Sequence, residues 1–388
     1  MRVHDPQSLR ILVPELPPET GRQFPIRRNS MHKFTFTILF IITLGTAPLA
    51  RGCDLCGCYT PQLEALPQTT ADVAFGQPTG ATTTSGRSWM TGLYGAVGEQ
   101  FTYFGTVLVD GHEVANPTGQ HEDSSITQLV AGYTFNSRFA LQLNVPLIYR
   151  SFERPEGFAI DRGTESGLGD ISLLAKFVAY HTEMGGRRPL NFDDSKLPKL
   201  ETPDPDFTFS ALLLAGIKFP TGDSSRIKEE FNEVEIPGAP VSGIHGHDLT
   251  LGTGSYDGIF GVQTSLRYKN FFFQGDVQFT LRGDGLHQYH FANDLSWGGG
   301  PGYYFIRRRD TVLGLQFVVS GEHKDVDRFR GEPAEDTGIT SVFVGPRLIA
   351  SVGKISAEIA VDLPVSIDNT ALQVVPDYRI RGGIAIRF

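Results

Sequence analysis

The chain has 388 residues, 40% of them hydrophobic, with 44 glycines and 28 phenylalanines. It carries 34 Lys and Arg against 43 Asp and Glu, a net charge of −9, which argues against nucleic acid as a partner because such binding normally needs a basic patch. Outside one short stretch near the N-terminus, no apolar run approaches the ~18 residues of a membrane-spanning helix.

That stretch is the first readable element. Met31-His-Lys, an apolar core from Phe34 to Leu44 and the small residues after it read as a secretory signal peptide. Residues 1–30 have no periodicity and precede it awkwardly, so translation is expected to start at Met31. Ala50 and Gly52 supply the small residues that cleavage requires, making 1–52 leader and signal and Cys53 the first mature residue. The mature chain then holds 27 basic and 40 acidic residues, a net charge of −13.

A short N-terminal segment, 53–90, is expected to sit in the periplasm and opens with Cys53, Cys56 and Cys58, all the cysteines of the chain. Gly57 follows Cys56 where covalent haem attachment needs His, so that reading fails. Three readings stay open. Cys53 follows a small residue, as lipidation requires, although Arg51 fits a lipobox poorly. A Cys53–Cys56 disulfide suits an exported protein and leaves Cys58 over. Clustered thiolates also suit copper or zinc. No other cofactor is expected.

From residue 91 onward the pattern changes to strict alternation. In 271–282, Phe271, Phe273, Val277, Phe279 and Leu281 fall on one parity; Gln274, Asp276, Gln278, Thr280 and Arg282 fall on the other. Successive strand side chains point to opposite faces, so this strand has one greasy face and one polar face. Its length suits a tilted membrane strand, which needs roughly 9–11 residues. The same alternation predicts twelve strands: 95–109, 125–135, 138–149, 168–180, 206–219, 256–268, 271–282, 289–305, 311–323, 338–351, 354–365 and 377–388. Ten to fourteen fit the pattern. The eighth is interrupted by Gly298-Gly-Gly-Pro-Gly302, where a bulge or break is expected.

The connections carry a second signal. Asn136-Ser137, Lys269-Asn270, Arg307–Asp310 and Gly353 make short turns after even strands, whereas 110–124, 150–167, 220–255, 324–337 and 366–376 make longer loops after odd ones. Short periplasmic turns and long extracellular loops are the rule for outer-membrane barrels. Residues 181–205 break it and read as a periplasmic insertion or a missed strand pair. A secreted β-sandwich also alternates, but its strands average about 5–6 residues, and the terminal aromatic Phe388 suits a barrel. The fold class is therefore all-β, an antiparallel transmembrane β-barrel of about twelve strands over 91–388.

Two glycine-rich motifs carry a family resemblance. Gly167-Leu-Gly-Asp170 opens a strand that runs to Lys176-Phe177, and Gly216-Ile-Lys-Phe-Pro-Thr-Gly-Asp223 closes the next. Together they resemble the outer-membrane transporter family named after the MetA-pathway of phenol degradation. The resemblance covers about 90–388 and implies an outer-membrane channel admitting aromatic or other hydrophobic molecules, without a phenol specificity. It also implies that the barrel-assembly machinery reads the C-terminal strand. In physical terms Gly167, Gly169, Asp170, Pro220, Gly222 and Asp223 are strand-end residues. Pro220 ends ladder donation, Gly222 permits reversal, and the two aspartates can bind nearby backbone N–H groups.

On the polar parity lie the pore-lining candidates Lys176, Lys218, Arg267, Asp276, Arg282, Arg347, Glu358, Asp362, Arg379, Arg381 and Arg387. Both signs occur, so the lumen is either hydrated or plugged by paired charges. His245-Gly-His247-Asp248 in the longest loop offers imidazole and carboxylate ligands for zinc or copper, against the plainer reading of a solvated loop. His287, His290 and Ser296 are the group with hydrolase-like chemistry, and no nucleophile-elbow, zinc-protease or phosphate-loop motif accompanies them. The chain is thus expected not to be an enzyme but a channel in outer-membrane lipid for a small-molecule solute. The alternative is an anchoring or metal-binding barrel that uses its cysteines.

Overall fold

The computed structural model describes residues 92–185, 205–232, 236–308 and 311–388. The signal peptide, the cysteine segment and most of 181–205 lie outside these residues. Among the described residues no helix is long and apolar enough to cross a membrane.

Twelve long strands form the wall: β1 (Leu93–Val109), β2 (His121–Thr134), β3 (Phe139–Glu156), β4 (Ser172–Met184), β5 (Phe207–Lys218), β6 (Asp257–Tyr268), β7 (Phe271–Leu281), β8 (Asp294–Arg308), β9 (Thr311–Lys324), β10 (Ile339–Val352), β11 (Ile355–Asn369) and β12 (Leu372–Arg387). Each pairs antiparallel with its neighbours in chain order, and β12 returns to β1. Closure runs from Tyr94 opposite Arg387 to Val109 opposite Leu372, and Phe388 donates its N–H to the Leu93 carbonyl at 3.1 Å. A closed ladder leaves no edge, which is the condition for a sheet to cross lipid, where each unsatisfied backbone group costs several kcal/mol.

Alternation places the apolar side chains outside. On β7 the predicted apolar face points outward, with Phe271 65% and Leu281 49% exposed, while Gln278 and Thr280 are buried inward. Its 11 residues make about 33 Å of strand, or about 25 Å of height at a tilt of about 40°, the height of the hydrocarbon belt of such barrels. Aromatic rings collect at both borders of the belt. Phe135 packs on Tyr133 and Phe139, and Tyr303 on Phe271 and Phe305, near the short turns. Tyr378 packs on Phe101 and Tyr103 nearer the other end.

Three expectations need correction. The eighth strand begins at Asp294 and runs through its glycines: the β9 ladder lapses between the Gly299–Val319 and Gly302–Gln316 pairs, while pairing to β7 is continuous. Gly300 is needed there, since a Cβ would sit 1.9 Å from the Phe317 carbonyl oxygen. The expected loop 366–376 is instead a two-residue turn at Thr370-Ala371, because β11 and β12 extend beyond the belt and β12 goes on pairing with β1. The third strand continues past 149 to Glu156 and pairs with Ala159–Leu168 as a hairpin standing above the belt.

Candidate pore and its cap

Inward-facing residues build the candidate pore. Toward its middle, Arg347 donates to Gln316 (Nε–Oε1 3.0 Å) and to Gln274. Arg379 pairs with Glu322 at 2.7 Å and lies over the Phe343 ring, and Arg381 grips Asp362 through two bonds of 2.7 and 3.0 Å. Arg150 faces Glu122 at 3.4 Å. Nearer the outer end, Lys218 sits between Asp170 (2.9 Å) and Asp257 (2.7 Å), and Asp257 also accepts from Arg282, which pairs in turn with Asp294. A charge taken from water is tolerated when a partner and further hydrogen bonds compensate it. Here opposite signs are interleaved around the inside of the barrel, so that most of the buried charges face a partner.

The outer mouth is built differently. The connection between β5 and β6, residues 219–256, folds back into the barrel as a 3-10 turn (Ser225–Phe231) followed by the one-turn helix α1 (Gly246–Leu249). Its Ile244 and Leu249 pack among Phe104, Val107, Phe152, Ile339, Val374 and Val375, and Leu251 reaches between Ile126 and Ile148. Burying apolar side chains of this size stabilises by roughly 1.5–3 kcal/mol each. Polar ties fix the loop as well: Gly243 donates to the Gln120 side chain and accepts from Val374 N–H. Neighbouring loops complete the cap, with Ile227, Tyr289 and Phe291 forming a small core against Phe329.

The two family-like motifs meet at the hinge of this cap. Asp170 accepts from Gly222 N–H (2.9 Å), Thr253 N–H (2.9 Å) and Lys218, while Thr221 bridges the Gly169 carbonyl and Ile171 N–H. Asp223 accepts from Ser225 N–H and carries a lowered pKa mainly through that bond. Gly222 has backbone of 251–252 against it, with a Cβ falling 2.4 Å from the Leu251 carbonyl oxygen. Asp170 therefore clamps the loop to the wall, while Asp223 fixes the turn within the loop.

Of the eleven sequence-proposed lining residues, Lys218, Arg267, Arg282, Arg347, Asp362, Arg379 and Arg381 are buried inside, and all seven have polar partners. Lys176, Asp276, Glu358 and Arg387 are half-buried. Sequence reasoning missed Arg150 and Glu122, which lie beyond the expected ends of their strands, and the acidic partners Asp257, Asp294 and Glu322, whose inward parity was legible. His245 and His247, read as residues of a solvated loop by default, are buried instead. Burial opposes the charged form of His247, but Asp248 and Glu230 beside it outweigh that and raise its pKa well above the ordinary value. Glu230, against its own burial, is held at about 2 by the same histidine. Among the described residues no hydrogen bond joins Ser296 to His287 or His290; His290 faces Asp284 instead.

A closed barrel with this apolar belt is an outer-membrane barrel, with paired charges inside it and a folded loop at its mouth. No family model matches the chain, and no curated protein matches it in sequence. Among solved structures it is similar to an outer membrane channel from Pseudomonas putida F1, with 14% identity over 78% of this chain and 97% of that one (TM-score 0.48). It also matches the beta domain of the Bordetella autotransporter Brka, with 10% identity over 77% and 100% (TM-score 0.40). A third match is the P. putida toluene transporter TodX, with 9% identity over 76% and 90% (TM-score 0.30). These are likenesses of the barrel alone.

Proposed function

We propose that this protein is an outer-membrane channel for small hydrophobic or aromatic molecules, held closed by its inward-folded cap. The observation that carries the reading is how the mouth is stoppered. The wall is one continuous hydrogen-bonded ladder, but the stopper at 219–256 is attached by apolar packing, by clamps around Asp170 and Gly243, and by side-chain ties from Arg154 to Glu229 and from Arg226 to Glu165. A loop held that way can leave without breaking the barrel. Lifting it would open a mouth lined by Phe104, Ile126, Ile148 and Phe152, a surface that favours apolar solutes over sugars or ions. Beneath it the paired charges narrow the path. The motif resemblance around Asp170 and Asp223 supports the same reading, with the solute unspecified within the aromatic and hydrophobic class. Outer-membrane lipid covers the belt, and the barrel-assembly machinery is the partner that inserts the wall.

The test compares the whole protein with a variant in which residues 224–248 are replaced by a short Gly-Ser linker, leaving Asp170, Gly222 and Thr253 in place. In planar bilayers the first should give rare, small openings and the second sustained stepwise conductance. Vesicles carrying the linker variant should also take up a small aromatic solute faster. Silence of the linker variant over a range of salts and potentials, with its barrel shown to be folded, would sink the channel reading.

A further inference from the structure

We propose that His245, His247, Asp248 and Asp336 form a site for one divalent transition-metal ion of the zinc type, which staples two loops of the cap together. His245 and His247 flank Gly246 in α1, and their rings lie 5.5 Å apart and nearly parallel, at 14°. Asp336 comes from the connection between β9 and β10, and its Oδ2 lies 3.1 Å from His245 Nδ1. One donor atom each from His245, His247 and Asp336 falls within 4.8 Å of the others. Asp248 adds a fourth group, with Oδ1 3.3 Å from His247 Nε2 and Oδ2 3.9 Å from His245 Nδ1. Four donors about 2.0–2.2 Å from a tetrahedral ion stand about 3.3–3.6 Å from one another, so the cluster is near that spacing before any ion enters.

The surroundings are those a metal histidine needs. Glu230 Oε1 lies 3.0 Å from His247 Nδ1 and also accepts His247 N–H at 2.9 Å. A carboxylate on one ring nitrogen fixes the tautomer and leaves the other nitrogen's lone pair for the ion. The Tyr289 ring stacks on His247 at 5.9 Å and is itself anchored by its hydroxyl to Asp327. Gly246 is required between the histidines, because a Cβ there would fall 2.3 Å from the Arg226 carbonyl oxygen. Three carboxylates, Glu230, Asp248 and Asp336, surround two imidazoles in a largely buried place, and a divalent cation offsets most of that negative charge. Mixed imidazole and carboxylate donors select zinc-like ions over calcium or magnesium.

The probe is zinc chloride, with cobalt(II) as its spectroscopic stand-in, added to the full mature chain folded in detergent with Cys53, Cys56 and Cys58 replaced by serine to silence the thiolates. Equilibrium dialysis should give one zinc per chain at micromolar metal, and cobalt should show the intense visible bands of tetrahedral coordination. Asp336→Asn and His247→Gln should each weaken zinc binding at least tenfold, whereas His112→Gln, on an exposed hairpin strand, should not change it. Asp336 is partly exposed, so its variant keeps the test informative if His247→Gln fails to fold. Uptake by Asp336→Asn equal to the parent, or no stoichiometric zinc on the folded parent, overturns the site. A slowing of cap opening by zinc in bilayers would rest on the channel reading. Binding and the cobalt spectrum do not, so the two can fail separately.

Discussion

The wall and the cap bury similar kinds of side chain by opposite means. In the wall each residue's place follows from its parity: Phe279 faces lipid and Gln278 faces the lumen because they are consecutive on one strand. In the cap, Leu251 is buried between Ile126 and Ile148, more than a hundred residues away in the chain, with no period announcing it. The order of the wall therefore rests on the strand repeat and on closure of the seam. The order of the cap rests instead on specific long-range contacts.

The sharpest way to break that comparison is to shorten each region by three residues. Deleting Ile386–Phe388 removes the last pairs of β12 with β1 and leaves unpaired backbone at the seam. Deleting Arg330–Glu332 trims only the tip of a cap hairpin. The first should abolish most of the heat-modifiable folded band and the outer-membrane fraction, and the second should leave both nearly intact. Normal insertion of the C-terminal deletion would show that the seam does not hold the barrel.

A smaller effect compares ion pairs. Arg381→Met strands a buried Asp362 and should cost about 3–5 kcal/mol in urea unfolding from vesicles, and adding Asp362→Leu should recover most of it. Glu229→Gln, which loosens the cap pairs to Arg226 and to Arg154, should cost less than Arg381→Met, because Glu229 is 36% exposed and water screens it. Equal costs for the two single substitutions would mean that the lumen pairs are as hydrated as the cap pairs.

The smallest effect lies on the outer face of the wall. Glu99 points outward on β1, opposite Gly382 of β12, and is satisfied by the hydroxyls of Ser125 and Thr127. It borders a groove of about 480 Å³ on the outer wall, shared with Val97, Leu348 and Ile359. Carboxylates on a lipid face cost less than lysine or arginine, so Glu99→Leu should shift unfolding by less than about 1 kcal/mol, in the stabilising direction. A clear loss of stability would show that the hydroxyl bonds outweigh the cost of the charge in lipid.

About twelve strands, their faces and most turns were legible in the sequence, because the side-chain period of a strand is two and lipid on one side makes that period strict. Even the charged residues Arg347, Arg379 and Arg381 could be placed inside from parity alone. What parity could not supply was partners: that Arg379 meets Glu322, or that Lys218 lies between Asp170 and Asp257, depends on register across strands far apart in the chain. Nor could it show that 219–256 turns inward, since a long loop of mixed polarity reads as solvated. Asp336 joins His245 and His247 only because two loops meet over the mouth. The local alternation of the chain thus determined the barrel, whereas the inward fold of the β5–β6 connection and the grouping of His245, His247 and Asp336 were decided by tertiary packing, which brings together residues with no sequence period in common.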